Sequence, residues 1–484
     1  MSTWRRLILL AVVVVVAAPA VMAKIYARWT ENELPPAKEL GVSDVVIPWS
    51  DDAQKLVAAA KKQGYEVYLE ATLAQLGAVA AAGANSGAAG VVLKATTAAE
   101  EGQLAKPARG MRAQYPKLKF LVVSANGKQP DMRGWLVFQK NGILQVSSPT
   151  SQPWLDQNLA TVRHERGFGL GEMPVYTFSW DVSDPLVKEN GPSPQDYSLA
   201  IAEAGAFHAD LVLEIYEKQQ KGLASGDKSA LADWEPVKRT IAFYEHKNDG
   251  EKEAADVAVL TDDYDTSYEA INLMARHNIP FRVLHSTDVK AADLAGLDVV
   301  IEFAAPTKEL VETLSAFAEK GGVVVLVNQP GTYPWESGEG KTNGPSVTYT
   351  VGKGRVIELK EPVSDPETFA QDVRRLMANQ EVPVSLWNSL TTLVVEYPGA
   401  RAGQTVVELV NYDEERTQVQ VQVKGNFGGA RYESPERGCC ETLKTEHVNG
   451  FTQFVVPDLV SGGRVHLEAE SGTPKDETKT RVGE

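Results

Sequence analysis

Apolar positions in the first half of the chain come in eight short bursts: Ile25–Trp29, Asp44–Pro48, Tyr65–Glu70, Gly90–Lys94, Lys119–Ser124, Leu144–Ser147, Val175–Ser179 and Leu211–Ile215. Each is rich in β-branched or aromatic residues and is short enough for a strand buried on both faces. Between most of them the period lengthens to that of a helix. Asp51–Gly64 opens on Asp, carries an Ala/Leu/Val stripe and stops at Gly, and Ala105–Tyr115, Trp154–Arg166 and Ser193–Phe207 read the same way. Leu76–Ala89 reads as a helix with a tight loop, and Glu235–Tyr244 as a closing helix. Strand-then-helix units repeated eight times predict a (β/α)8 barrel. A barrel works at the C-terminal ends of its strands, so the residues that finish each burst are the candidate functional positions.

A polar break at His246–Lys252 ends this pattern, and a second alternation follows. Asp256–Thr261, Phe281–Leu284, Leu297–Phe303, Val323–Asn328 and Arg355–Leu359 read as strands; Tyr268–His277, Thr307–Lys320 and Pro366–Met377 read as helices. That order predicts an open, mostly parallel, flavodoxin-like α/β domain. From about Glu381 the runs become short and alternating (Leu393–Tyr397, Gln404–Val410, Gln418–Lys424, Ala430–Tyr432, Phe451–Val456, Gly463–Leu467), which predicts a small antiparallel β-sandwich. The expected organisation is a barrel over 24–248, an α/β domain over 249–379, a sandwich over 380–470 and a polar, disordered tail over 471–484.

The N-terminus changes the picture of where the protein works. Arg5 and Arg6 precede an apolar run, Leu7–Ala18, and Val21-Met22-Ala23 places compact residues before Lys24. This reads as a secretory signal peptide over 1–23, too short for a membrane span, and predicts a periplasmic or extracellular protein. The net charge of −16 repels phosphate backbones and excludes nucleic acid as the expected partner. It leaves neutral ligands such as sugars open. The seven His show no HxH or HExxH spacing, so neither a metal nor another cofactor is expected. Gly167–Gly171 is glycine-rich but precedes a strand, and reads as a loop. The two cysteines, Cys439 and Cys440, are adjacent; a vicinal bond, pairing with another molecule and two loop thiols all remain open.

Three carboxylates lie at strand ends where a barrel would use them. Glu70 closes VYLEAT, Glu214 lies in LVLEIY and Asp181 follows Ser179-Trp180. A carboxylate in an apolar strand needs a partner or a solvated rim, and Lys94 at the end of the fourth burst is a candidate partner for Glu70 or Glu214. Trp29, Trp49, Trp180 and Tyr216 collect at the same ends, where a ring can stack on the C–H face of a sugar. Asn126, after the fifth burst, adds a polar contact. Each has a plainer reading: Glu–Lys pairing, a loop cap at Asp181, rim packing for the rings and an Asn-Gly turn.

The domain order resembles that of multidomain glycoside hydrolases, above all the family of trimeric β-galactosidases. YEAINLMARHNIPFRVLHSTDVKAADLAGLDVVIEF, LVETLSAFAEKGGVVVLVN and VGKGRVIELKEPVSDPETFAQDVRRLM are similar to that family's glutamine-amidotransferase-like trimerisation domain. VVELVNYDEERTQVQVQVKG and the later ESPE resemble its C-terminal modules. The resemblance implies a carbohydrate partner and self-association through the middle domain. It also implies catalytic glutamates ending strands four and seven, but the chain has Lys94 at the first of these ends and Asp181 near the second. The middle domain has no cysteine and so cannot run amidotransferase chemistry. The expectation is an exported glycoside hydrolase-like protein that meets carbohydrate at the C-terminal face of its barrel. The alternative is a non-catalytic glycan-binding or structural envelope protein.

Overall fold

The computed structural model describes residues 23–50, 52–95, 98–133, 137–140, 143–146, 154–168, 173–181, 185–245, 253–377, 382–399 and 402–469. The expected signal peptide up to residue 22, the break at 246–252, most of the Gly167–Gly171 loop and the tail lie outside them. Among the described residues no helix is long and apolar enough to cross a membrane.

The first sheet is a parallel, near-closed barrel of seven strands: β1 (Ile25–Arg28), β2 (Asp44–Pro48), β3 (Glu66–Ala71), β4 (Gly90–Lys94), β5 (Lys119–Val123), β6 (Val175–Phe178) and β7 (Asp210–Glu214). Their order is β6-β7-β1-β2-β3-β4-β5, and the backbone N–H of Ser124, just past β5, reaches the Val175 carbonyl of β6 at 2.7 Å. The burst expected as a sixth barrel strand is placed elsewhere. Ile143–Val146 pairs antiparallel with Val137–Lys140 in a separate hairpin, and Trp154–Asp156, expected to begin a helix, pairs with Asp131–Arg133. The chain thus leaves the barrel after β5 and returns through helix α2 (Leu159–Phe168). Helix α1 (Ala98–Gln114) precedes β5.

Strand alternation sorts the barrel residues. Ile25, Ala27 and Trp29 of β1 pack outward in the large core shared with the helices, whereas Tyr26, Val46, Tyr68, Val92, Val123 and Val212 form a separate inner cluster. Below that layer, Lys24 pairs with Asp44 at 2.5 Å. Above it, at the C-terminal mouth, the inward parity delivers Arg28, Glu70, Lys94 and Glu214.

The middle sheet contains β8 (Val257–Thr261), β9 (Phe281–His285), β10 (Val299–Glu302), β11 (Val323–Val327), β12 (Lys341–Asn343), β13 (Ser346–Val351) and β14 (Gly354–Leu359). Its order β9-β8-β10-β11-β14 is parallel and of the flavodoxin type, with the antiparallel β13 and β12 added at the edge. The last domain is a sandwich. One sheet is β15 (Val384–Leu386), β18 (Thr417–Lys424), β22 (Phe451–Leu459) and β21 (Glu446–Val448); the other is β16 (Thr392–Pro398), β17 (Gln404–Asn411), β23 (Gly462–Ala469), β19 (Phe427–Ser434) and β20 (Gly438–Leu443). Cys439 and Cys440 on β20 are joined to each other by a disulfide.

Buried polar contacts tie the domains together. Arg163 and Arg166 of α2 both bind Glu253, the former at 2.5 Å, and Arg163 lies over the Phe281 ring of β9 at 4.2 Å. Burial would raise the Glu253 carboxyl, but the charge of Arg163, aided by Arg166, outweighs it and holds it below the usual range. Glu203, on helix α3 (Pro194–Ala206), accepts from the Asn158 backbone and side chain, from Tyr176 and from Tyr412 of the sandwich. Burial still pushes its carboxyl up to about 7.

Candidate functional site at the barrel mouth

Four charged side chains meet where the inner faces of β1, β3, β4 and β7 end. Arg28 grips Glu70 with two nitrogens, Nε to Oε2 at 2.6 Å and Nη2 to Oε1 at 3.0 Å. Lys94 Nζ donates to Glu214 Oε1 at 2.6 Å, and the same oxygen lies 4.0 Å from Arg28 Nε. Arg28 therefore joins the two pairs into one network. Side-chain exposures of 17% for Glu70, 22% for Arg28 and Glu214 and 40% for Lys94 leave the group open to solvent on one side. Burial would lower the Arg28 guanidinium; the Glu70 hydrogen bonds and the charges of Glu70 and Glu214 outweigh it and hold it above its ordinary value.

Glu70, Lys94 and Glu214 come together, but Lys94 binds Glu214 while Glu70 takes a partner not foreseen, Arg28. Asp181 does not join them: it is 91% exposed and lies 3.7 Å from Lys188. It matches the plainer reading of a loop carboxylate.

The aromatic set divides as well. Trp29 is fully buried, with its indole N–H on the Glu33 carbonyl at 2.9 Å. It is a core residue and cannot stack on a sugar, because its outward parity drives it beneath the helices. Trp49 and Trp180 are half-buried, each packed on the core at a strand end. Trp49 follows β2 directly, and its backbone N–H bonds the Glu70 carbonyl at 3.1 Å, while its ring shares the outward parity of Ile47 and packs on the outer core. Tyr216 is half-buried, but its hydroxyl is committed to the Lys188 and Glu189 carbonyls and its ring lies against Gly191.

Asn126 follows the C-terminal end of β5 and is not among the four charged groups of the network. It lines a cleft of about 900 Å³ on the barrel's flank, where α1, α2 and the middle-domain residues Asp262–Asp265 surround the free side of β5. That cleft lies where a sixth strand would have run.

A parallel barrel, a flavodoxin-type domain and a sandwich follow one another in this order, an architecture shared with solved glycoside hydrolase structures. Two solved structures with that fold cover nearly the whole chain. One is α-L-fucosidase isoenzyme 2 from Paenibacillus thiaminolyticus, at 12% identity and TM-score 0.56, spanning 93% of this chain and 100% of that one. Another is a β-galactosidase from Rahnella sp. R3, at 10% identity and TM-score 0.57, spanning 93% and 99%. No family model and no curated protein matches the sequence.

Proposed function

We propose that this chain is an exported glycan-binding protein that holds carbohydrate at the barrel mouth without cleaving it. The observation that carries this reading is the pairing of both mouth carboxylates with cations. Glycoside hydrolysis asks one carboxyl to give a proton to the leaving oxygen and the other to attack, or to activate water. Here Glu70 spends both oxygens on Arg28, and Glu214 is held by Lys94. A Lys occupies the end of strand four, where the acid of the resembled enzymes would stand. The same four groups offer fixed donors and acceptors to sugar hydroxyls. The fold likeness and the signal-peptide pattern support the carbohydrate partner and the export.

Hydrolysis is the second reading, favoured by one fact: Arg28 brings Glu70 and Glu214 to a single guanidinium, so two acids do share the mouth. Calorimetric titration of the protein from Lys24 onward with an oligosaccharide panel, beside turnover of aryl-glycosides, separates the two. Binding without turnover is expected, weakened about tenfold in Glu214→Gln, the loss of roughly one charged hydrogen bond. Turnover abolished by Glu70→Gln or Glu214→Gln would instead establish a hydrolase.

A further inference from the structure

The sandwich carries a second surface with a carbohydrate-like chemistry. In the sheet β15-β18-β22-β21 the inward positions are Val384, Val419, Val421, Val423, Phe454 and Val456, all in the sandwich core. The outward positions follow from the register. Trp387 continues β15, its N–H on Gln420 O at 3.1 Å, and Gln420 lies opposite Val455. One row across the sheet is therefore Trp387, Gln420 and Val455. The next is Ser385, Gln422, Gln453 and, at its β21 end, Glu446, with a Gln453 to Gln422 side-chain hydrogen bond of 2.8 Å.

Two properties of this face are unusual for the molecule. Trp387 is 62% exposed, the most exposed large apolar side chain among the described residues, and Val455 in its own row is 42% exposed. Across β15, β18 and β22 the two rows bear no charge, on a chain with 64 acidic and 48 basic residues. Charges enter at the β21 end, where Glu446 pairs with Lys444 at 2.9 Å, and beyond the rows at Lys424. Asn388, beside Trp387, is fixed by Gln418 O at 2.8 Å and by the Gln420 N–H at 2.7 Å, so the backbone under the ring is held in place.

We infer that this face binds a neutral polysaccharide, with a sugar ring stacked on Trp387 and its hydroxyls bonded to the Gln420, Gln422 and Gln453 amides. The argument is complementarity. An exposed indole offers a flat apolar platform to axial C–H groups. Primary amides offer a donor and an acceptor each, as sugar hydroxyls require. A ligand with charge would find within the two rows only Glu446, already neutralised by Lys444. A protein partner would be expected to meet a polar rim around an apolar centre, whereas here amides fill the centre itself.

The test uses the chain from Lys24 onward carrying Glu214→Gln, which weakens the mouth, and the sandwich variants below separate the two surfaces. Native gels containing galactan, mixed-linkage β-glucan or arabinoxylan read retardation, with alginate as the charged control. Retardation is expected in at least one neutral gel and not in alginate. Trp387→Ala should weaken it about tenfold, the scale of one aromatic contact plus its lost area. Gln420→Glu, a second and still surface-borne change, should weaken it several-fold while circular dichroism stays unchanged. Oligosaccharide binding at the mouth of the otherwise native chain should survive Trp387→Ala. No retardation in the neutral gels overturns the proposal, as does retardation that ignores both variants. A dimer seen by light scattering that Trp387→Ala dissolves would also overturn it and make the face a subunit contact.

Discussion

Two ion networks in this protein use the same residue types for different ends. At the seam between barrel and middle domain, Arg163 and Glu253 are almost sealed, at 5% and 7% side-chain exposure. At the mouth, Arg28, Glu70, Lys94 and Glu214 keep an open side. The seam pair has no solvent to fall back on, so each member exists only because the other is there. The mouth group can exchange a protein partner for water or for a ligand hydroxyl at small cost. Burial, more than composition, separates a brace from a binding site.

The comparison breaks most visibly at Glu253. Glu253→Ala leaves two guanidinium groups facing a buried gap, and urea unfolding should show a loss of ~3–5 kcal/mol. A loss near zero would show the seam to be wet.

Glu396 sharpens the same point, because it is a sandwich carboxylate beside Ala254 of the middle domain with no cation partner among the described residues. On β16 it accepts from Thr405 at 3.0 Å, its other oxygen has no hydrogen-bond partner among the described residues, and burial raises its carboxyl to about 7. A raised carboxyl means that the folded state keeps a proton the unfolded chain has released. The contribution to stability is present below the ordinary carboxylate range and is lost as pH rises through about 7. Glu396→Gln should therefore match the parent near pH 4 and exceed it near pH 8 by ~1–3 kcal/mol, read from urea midpoints at both pH values. An equal offset at both pH values would mean that Glu396 is ionised throughout.

The smallest effect on stability belongs to the mouth. Lys94 is 40% exposed, and Lys94→Met should change the unfolding free energy by less than ~1 kcal/mol while weakening oligosaccharide binding. A stability loss as large as that of Glu253→Ala would make the mouth network a brace and erase the distinction.

Much of this arrangement was legible in the sequence, and the misses have physical causes. Barrel, α/β domain and sandwich follow from hydrophobic period alone, since period reports which face is buried. The burst at Leu144–Ser147 has the same local signal as the barrel strands, yet it pairs in a hairpin, because pairing is chosen by distant chain. Arg28 was missed although its signal was present. In Ile-Tyr-Ala-Arg-Trp the alternation puts Tyr26 and Arg28 on one face and Trp29 on the other. The same parity joins Tyr68 to Glu70, Val92 to Lys94 and Val212 to Glu214. Reading it would have placed Arg28 in the mouth and Trp29 in the core.

Among the described residues no strand runs between β5 and β6, and β5 ends the barrel sheet. Apart from the bond from Ser124 to Val175, such an edge is where a stray strand could pair. Arg112 of α1 reaches across and donates to the Phe120 carbonyl at 2.7 Å, filling one of the acceptors that such a strand would use. Its guanidinium puts a cation where an intruder would have to lie flat. By occupying that acceptor, Arg112 disfavours the pairing of another strand along this edge.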